Sequence, residues 1–217
     1  MIMNLPELVI FDMDGLIFDT ERLFMNKKAE ILKEYGYEAK EEDYIRTLGT
    51  AGKHLLDILY EIYGKGYPAD EISRKTRRLV TDEIEKNGPP VKPGIHTLLE
   101  WLRNQAIPCC VASSTQHIYV EAYLKRAGLA DYFSYIIGGD EIGRSKPDPE
   151  IFLAACACFH TAPHRALVLE DSENGILAAV NGGIPVICIP DLKMPAPEIA
   201  QKTAAIVNTA ADVISLF

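Results

Sequence analysis

Two aspartates flank a single residue in Asp12-Met13-Asp14-Gly15, directly after the apolar run Leu8 to Phe11. Farther along, Ala112-Ser113-Ser114-Thr115 offers hydroxyls, Ser145-Lys146-Pro147-Asp148-Pro149 an ammonium, and Glu170-Asp171-Ser172 a second acidic pair. Carboxylates gathered in one crevice repel one another, and one pKa must rise unless a cation sits among them. Every candidate ligand is a hard oxygen, which suits Mg²⁺ and suits zinc or copper poorly. Mg²⁺ keeps waters and binds through few carboxylates plus substrate phosphate, so the acidic set leaves room for a phosphate oxygen. The chemistry implied is phosphoryl transfer, which needs mainly positioning and charge neutralisation.

A phosphate dianion approaching a carboxylate meets about 1 kcal/mol of repulsion per charge pair at about 4 Å in water, and several times more in a dry site. Mg²⁺ would oppose it on one side. Lys146 and the Ser113 hydroxyl, with backbone N–H groups at a helix start, would oppose it on the other. Asp12 is therefore expected to be the nucleophile that forms an aspartyl-phosphate. Asp14 is expected to protonate the leaving alkoxide and then to take a proton from the hydrolytic water. Asp12, the Asp14 backbone carbonyl and Asp171 are expected to hold Mg²⁺, with Glu170 bound directly or just behind.

These residues need elements to hold them. Leu8–Phe11, Pro108–Ala112, Tyr135–Ile137, Ala166–Leu169, Pro185–Ile189 and Ala205–Val207 read as strands. Helical patterns separate them over Ile95–Gln105, His117–Ala127, the segment opened by Asp148 as N-cap with Pro149 behind it, and Asn174–Asn181; a terminal helix closes the chain. Ser113 is expected to cap the helix that follows it. Strands alternating with helices imply parallel crossovers, hence an α/β fold with a Rossmann-like open parallel sheet. Between Arg22 and Lys86 the texture changes to charged, helically periodic sequence without strand signals, with Leu55, Ile58, Leu59 and Ile62 on one face. The breaker-rich stretch Asn87 to Gly94 ends it. An all-helical domain inserted after the first strand is the simplest arrangement, and ligands in such sheets bind outside the carboxyl ends of the strands.

Composition narrows the partners. The 217 residues are 48% hydrophobic and 24% charged, ordinary globular usage. A formal net charge of −9 disfavours nucleic acid and anionic membrane as partners, since both need a basic face. No apolar run has the length of a membrane span, and Met1 to Ile10 lacks the basic start of a signal peptide, so a cytoplasmic protein is expected. Five cysteines in apolar settings read as buried reduced thiols, and the Cys156-Ala157-Cys158 pair as core, not a metal site. Asp12-x-Asp14-Gly15 is no EF-hand start, because the glycine comes too early and Leu23 stands where the bidentate Glu belongs. Gly138 to Ser145 mimics a phosphate loop, but it is acidic and Pro147 breaks the helix that such a loop needs.

The string Asp12-Met13-Asp14-Gly15-Leu16-Ile17-Phe18-Asp19-Thr20-Glu21, followed in order by Ser113, by Lys146 in Ser-Lys-Pro-Asp-Pro-Glu, and by Glu170-Asp171-Ser172, closely resembles the haloacid dehalogenase superfamily, in its β-phosphoglucomutase-like phosphatase branch. The resemblance spans nearly the whole chain. It implies Asp12 as nucleophile, Asp14 as acid and base, Ser113 and Lys146 as phosphate holders, and Asp171 as metal ligand. It also implies a Rossmann-like core over 1–19 and 91–217, with a helical cap over 20–90 closing on the substrate. Substrate contacts are expected from Ser113, Ser114 and Lys146 in the core and from Thr20, Gly49 and Lys53 in the cap. The segment Leu48 to His54 reads as a turn between helices that could carry a specificity loop. Phe24 and Gly52 stand where the mutase has its cap His and Arg, which disfavours a phosphosugar mutase. Asp14 is missing in dehalogenases and phosphonatases of the superfamily, which favours phosphate ester hydrolysis. The expectation is an Mg²⁺-dependent phosphatase for a small sugar phosphate or nucleoside-type monophosphate, monomeric or weakly self-associating. A receiver-type phospho-acceptor module, which also combines acids, a hydroxyl and a lysine, is the reading from another class.

Overall fold

The computed structural model describes residues 3–50 and 52–217. The first two residues of the Met1–Ile10 stretch, and Ala51 of the 48–54 segment, lie outside them. Contacts divide the chain into two compact units, Met1–Asp19 with Pro89–Phe217, and Thr20–Gly88.

The first unit is built on six parallel strands: β1 (Leu8–Phe11), β2 (Cys109–Ala112), β3 (Tyr135–Ile137), β4 (Ala166–Glu170), β5 (Val186–Cys188) and β6 (Ala205–Ile206). Their order is β3-β2-β1-β4-β5-β6. Strands β1, β2 and β4 are buried along their whole length, as short apolar runs must be when helices cover both faces of a sheet. Successive residues point to opposite faces. Val9 and Phe11 join Val111, Leu167 and Leu169 in one core, while Leu8 and Ile10 join Cys110, Ala112, Ala166 and Val168 in the other. Strand order reverses at β1, where such sheets open a crevice at the carboxyl ends. Phe11 pairs with Val111 on one side and Leu169 on the other, so the residues following β1, β2 and β4 reach that crevice at one level.

The helical unit holds α1 (Thr20–Glu34), α2 (Glu41–Thr47), α3 (Gly52–Tyr63) and α4 (Ala69–Asn87). Ile31, Leu32, Leu59, Tyr67 and Ile72 form its core. Tyr63 stacks on Tyr67 at 4.7 Å between ring centroids, and Tyr37 meets both edge-on. In the first unit the remaining helices are α5 (Ile95–Asn104), α6 (His117–Arg126), α7 (Glu150–Cys158), α8 (Glu173–Asn181) and the single turn α9 (Pro197–Ala200).

Four details differ from the sequence reading. The chain ends in a 3₁₀ helix, Ala210–Leu216, not an α-helix. Helix α7 begins at Glu150 with Pro149 in the cap position, and Asp148 acts one residue earlier by accepting a hydrogen bond from the Glu150 N–H at 3.0 Å. Ser113 does not cap α6, whose cap residue is Gln116. The free N–H of His117 donates to Asp140 Oδ1 at 2.8 Å, from the loop after β3. Four cysteines are buried, but Cys158 at the end of α7 is exposed.

Candidate active site

Asp12 directly follows β1, and its N–H donates to the Leu169 carbonyl at 3.0 Å, which ties the residue to the end of β4. Lys146 comes from the loop before α7. Its ammonium donates to Asp12 Oδ1 at 2.5 Å, to Glu170 Oε1 at 2.8 Å and to the Ala112 carbonyl at 3.2 Å, so all three protons meet acceptors at the ends of three strands. Phe152 lies beneath it, with the ring centroid 4.7 Å from Nζ. Burial opposes the charge on Lys146, but Asp12 and Glu170 outweigh it and hold the ammonium above its usual pKa. Asp12 is pushed up to about 7, by burial first and then by Glu170 and Asp14, against the pull of Lys146.

Glu170 is the anchor of this group. Its second oxygen, Oε2, accepts from the Asp171 N–H (2.9 Å), the Ser172 N–H (2.8 Å) and the Ser172 hydroxyl (2.9 Å). Ser172 also caps α8 by accepting from the Gly175 N–H at 3.1 Å. A Cβ on Gly175 would fall 1.7 Å from Glu170 Oε1, so only glycine permits the helix to approach this closely. Both Glu170 oxygens are thus committed to protein donors, which places it behind the site, gripping Lys146.

Asp171 lies against the turn after β1. Gly15 has φ +81°, and a Cβ there would sit 2.3 Å from Asp171 Oδ2. The Asp171 carboxyl is pushed well above the usual range by burial, then by the charges of Glu170, Asp12 and Asp191. Asp14 is half-buried and bridges to Phe18 across the turn, and its Oδ2 accepts from the Thr115 hydroxyl at 2.7 Å. Ser113 is buried; its N–H donates to the Ile137 carbonyl at 3.0 Å and its Oγ accepts from the Thr115 N–H at 3.0 Å. Ser114 beside it is exposed.

The structure therefore gathers Asp12, Asp14, Ser113, Lys146, Glu170 and Asp171 at one end of the sheet. Thr20 opens α1, Gly49 sits in the turn after α2 with φ +72°, and exposed Lys53 lies in the first turn of α3, all in the helical unit. Three participants escaped the sequence reading. Thr115 was visible only as a third hydroxyl in its run. Lys92 and Asp191 carry no motif, yet Lys92 Nζ donates to Asp191 Oδ1 at 2.6 Å and to the Gly15 carbonyl at 2.7 Å, pinning the turn beside Asp171.

The donors facing this end of the sheet are oxygens, and the charge of Asp12 helps to raise the pKa of Asp171. Two like charges so placed, in a cradle kept open by Gly15, fit a hard divalent cation that takes one or two carboxylates and completes its shell with water and phosphate. Among the described residues no group of three His, Cys, Asp or Glu side chains is placed to hold a metal ion by itself.

The family model for haloacid dehalogenase-like hydrolases matches residues 9–189, from β1 through β5. The chain belongs to this family. It is 30% identical over 182 residues to the phosphorylated carbohydrates phosphatase of Thermotoga maritima, covering 82% of each protein. It is 32% identical over 213 residues to a Drosophila melanogaster protein named "Probable pseudouridine-5'-phosphatase", covering 93% of this chain and 89% of the relative. The crystal structure of a β-phosphoglucomutase candidate from Thermotoga maritima superposes with a TM-score of 0.78 at 26% identity, covering 97% of each chain. This haloacid dehalogenase-like hydrolase thus shares its six-strand parallel fold with the β-phosphoglucomutase-like branch and its sequence with phosphatases, which sets aside the receiver-type reading. No described helix is long and apolar enough to cross a membrane.

Proposed function

We propose that this hydrolase is an Mg²⁺-dependent phosphatase that cleaves a small phosphorylated metabolite, a sugar phosphate or a nucleoside-type monophosphate, through an aspartyl-phosphate on Asp12. The observation that carries the reading is the Lys146 ammonium held between Asp12 and Glu170 at the point where strand order reverses. It supplies positive charge where a carboxylate nucleophile must meet an anion. The substrates in the names of the two phosphatase relatives, phosphorylated carbohydrates and a pseudouridine phosphate, support the substrate class.

In the first step an Asp12 carboxylate oxygen bonds to phosphorus while the bond from phosphorus to the leaving oxygen breaks, and Asp14 gives that oxygen its proton. Lys146 and Ser113 hold the phosphoryl group for in-line attack. In the second step Asp14 takes a proton from water, the water oxygen bonds to phosphorus, and Asp12 is released as inorganic phosphate forms. Asp12, Asp171 and the Asp14 backbone carbonyl would hold Mg²⁺, which supplies neutralisation of the phosphoryl oxygens. Glu170 orients Lys146 from behind. The helical unit serves as the cap, with Thr20, Gly49 and Lys53 directed to the substrate, and the protein works in the cytoplasm.

The test is phosphate release from a panel of phosphorylated metabolites, with Mg²⁺ and then with chelator. Asp12→Asn should abolish release from every substrate in a folded variant. Retention of most of the activity would refute the assignment.

A further inference from the structure

Asp14 is held by a residue from a distant part of the chain. Thr115 Oγ1 donates to Asp14 Oδ2 at 2.7 Å across 101 residues of sequence. Thr115 is itself fixed on two sides. Its N–H donates to Ser113 Oγ at 3.0 Å, and its carbonyl accepts from the Gly139 N–H at 2.9 Å. A β-branched side chain on a backbone pinned this way has little rotational choice, so its hydroxyl is a stationary donor.

A carboxyl acting as proton donor needs such a partner. The terminal torsion of an aspartate is broad and roughly two-fold, so a stationary donor on one oxygen narrows the orientations that the carboxyl presents. We propose that Thr115 is a positioning residue that fixes the Asp14 carboxyl by engaging Oδ2 and so assigns the transferable proton to Oδ1. The inference rests on the acid/base reading of Asp14 given above. In the first step the proton passes from Asp14 Oδ1 to the leaving oxygen, as the bond from phosphorus to that oxygen breaks and the Asp12–phosphorus bond forms; the Thr115 hydroxyl keeps its own proton throughout. As Asp14 gains negative charge, the Thr115 hydrogen bond becomes charge-assisted and strengthens. An interaction that grows along the reaction coordinate lowers the barrier, whereas one of constant strength does not.

The leaving group separates this role from simple phosphate binding. 4-Nitrophenolate departs without needing a proton, while a primary alkoxide must receive one. The quantity to measure is kcat/KM, which reports only the first phosphoryl transfer, for 4-nitrophenyl phosphate and for a primary alkyl phosphomonoester that the wild type hydrolyses. Thr115→Val should lower the alkyl value roughly tenfold or more, the effect of losing a hydrogen bond to a charged group. It should leave the 4-nitrophenyl value little changed, which also certifies that the variant folds. Thr115→Ser, which keeps the hydroxyl, should restore most of the alkyl value. Equal losses on both substrates would mean that Thr115 serves the phosphoryl group instead, and no loss on either would mean that it aims nothing; both results overturn the proposal. Asp14→Asn with the same pair keeps the two levels apart. It should cut the alkyl value by about 10²–10⁴-fold more than the 4-nitrophenyl value. If Asp14→Asn shows that selectivity and Thr115→Val does not, the positioning role fails alone; if Asp14→Asn is unselective, the acid/base reading falls and the inference goes with it.

Discussion

Lys146→Met removes an ammonium while keeping most of the volume of its apolar stem. In the wild type the Lys146 side chain is 6% exposed, against 10% for Asp12 and 1% for Glu170. Were this group at the surface, its loss would cost at most about 1 kcal/mol. Buried this deeply, removal of the cation strands two carboxylates, and the expected cost is about 3–5 kcal/mol. With a urea m-value of about 2 kcal/mol/M, the unfolding midpoint should fall by roughly 1.5–2.5 M. The assay is urea denaturation in chelated buffer, followed by Trp101 fluorescence and far-UV circular dichroism together. A second variant identifies the cause. Glu170→Gln added to Lys146→Met removes one stranded charge, so the double variant should regain stability, with a coupling of about 1–3 kcal/mol. A midpoint shift of the size that an exposed pair gives, or a double variant in which the two losses simply add, would refute the claim that buried charge, more than packing, sets the energy here.

Ser172→Ala deletes the cap of α8 and one donor to Glu170, and should cost about 1 kcal/mol in urea unfolding, whereas Ser172→Thr should cost less. Gly15→Ala forces a left-handed φ of +81° on a residue whose Cβ meets Asp171, so it should lose about 1–3 kcal/mol of stability; Mg²⁺ should raise the melting temperature of the wild type and raise that of this variant much less. Thermal unfolding with and without the ion reads both effects. Burial pushes the Cys109 and Cys188 thiols up to about 12, and raises those of Cys110 and Cys156. A thiol-disulfide dye at mildly alkaline pH should therefore label exposed Cys158 quickly, and the other four cysteines only after unfolding.

The strands were legible because each is a short apolar run bounded by polar or breaker residues, and β1, β2, β4 and β5 are buried along their whole length. Once the runs ending at Phe11, Ala112 and Leu169 are read as parallel strands, Asp12, Ser113 and Glu170 must share an end of the sheet. What escaped was set by tertiary geometry. Asp140 caps α6 from the loop after β3, a contact between segments 23 residues apart that displaces the local expectation for Ser113. Lys92 and Asp191 are 99 residues apart and meet only because both flank the turn at Gly15. The end of the chain carries the same apolar spacing whether it winds as α or 3₁₀ over a few residues, so its type is decided by packing. Cys158 is exposed because it ends α7, a matter of one or two residues that apolar texture cannot resolve.

Glu170 shows why this site tolerates so dense a cluster of acids. An aspartate there would be one methylene shorter, and Oε1 would retreat from Lys146 while Oε2 held its place on Ser172. As built, one carboxylate joins the N-terminus of α8 to the loop before α7, and through Lys146 to the end of β1. Its negative charge is spread over four donors within 2.9 Å, two of them backbone N–H groups that cannot swing away. Such preorganised donors keep their alignment when charge moves nearby. Asp12 therefore receives its ammonium from a partner that is already locked, and the repulsion an approaching anion meets is reduced before the anion arrives.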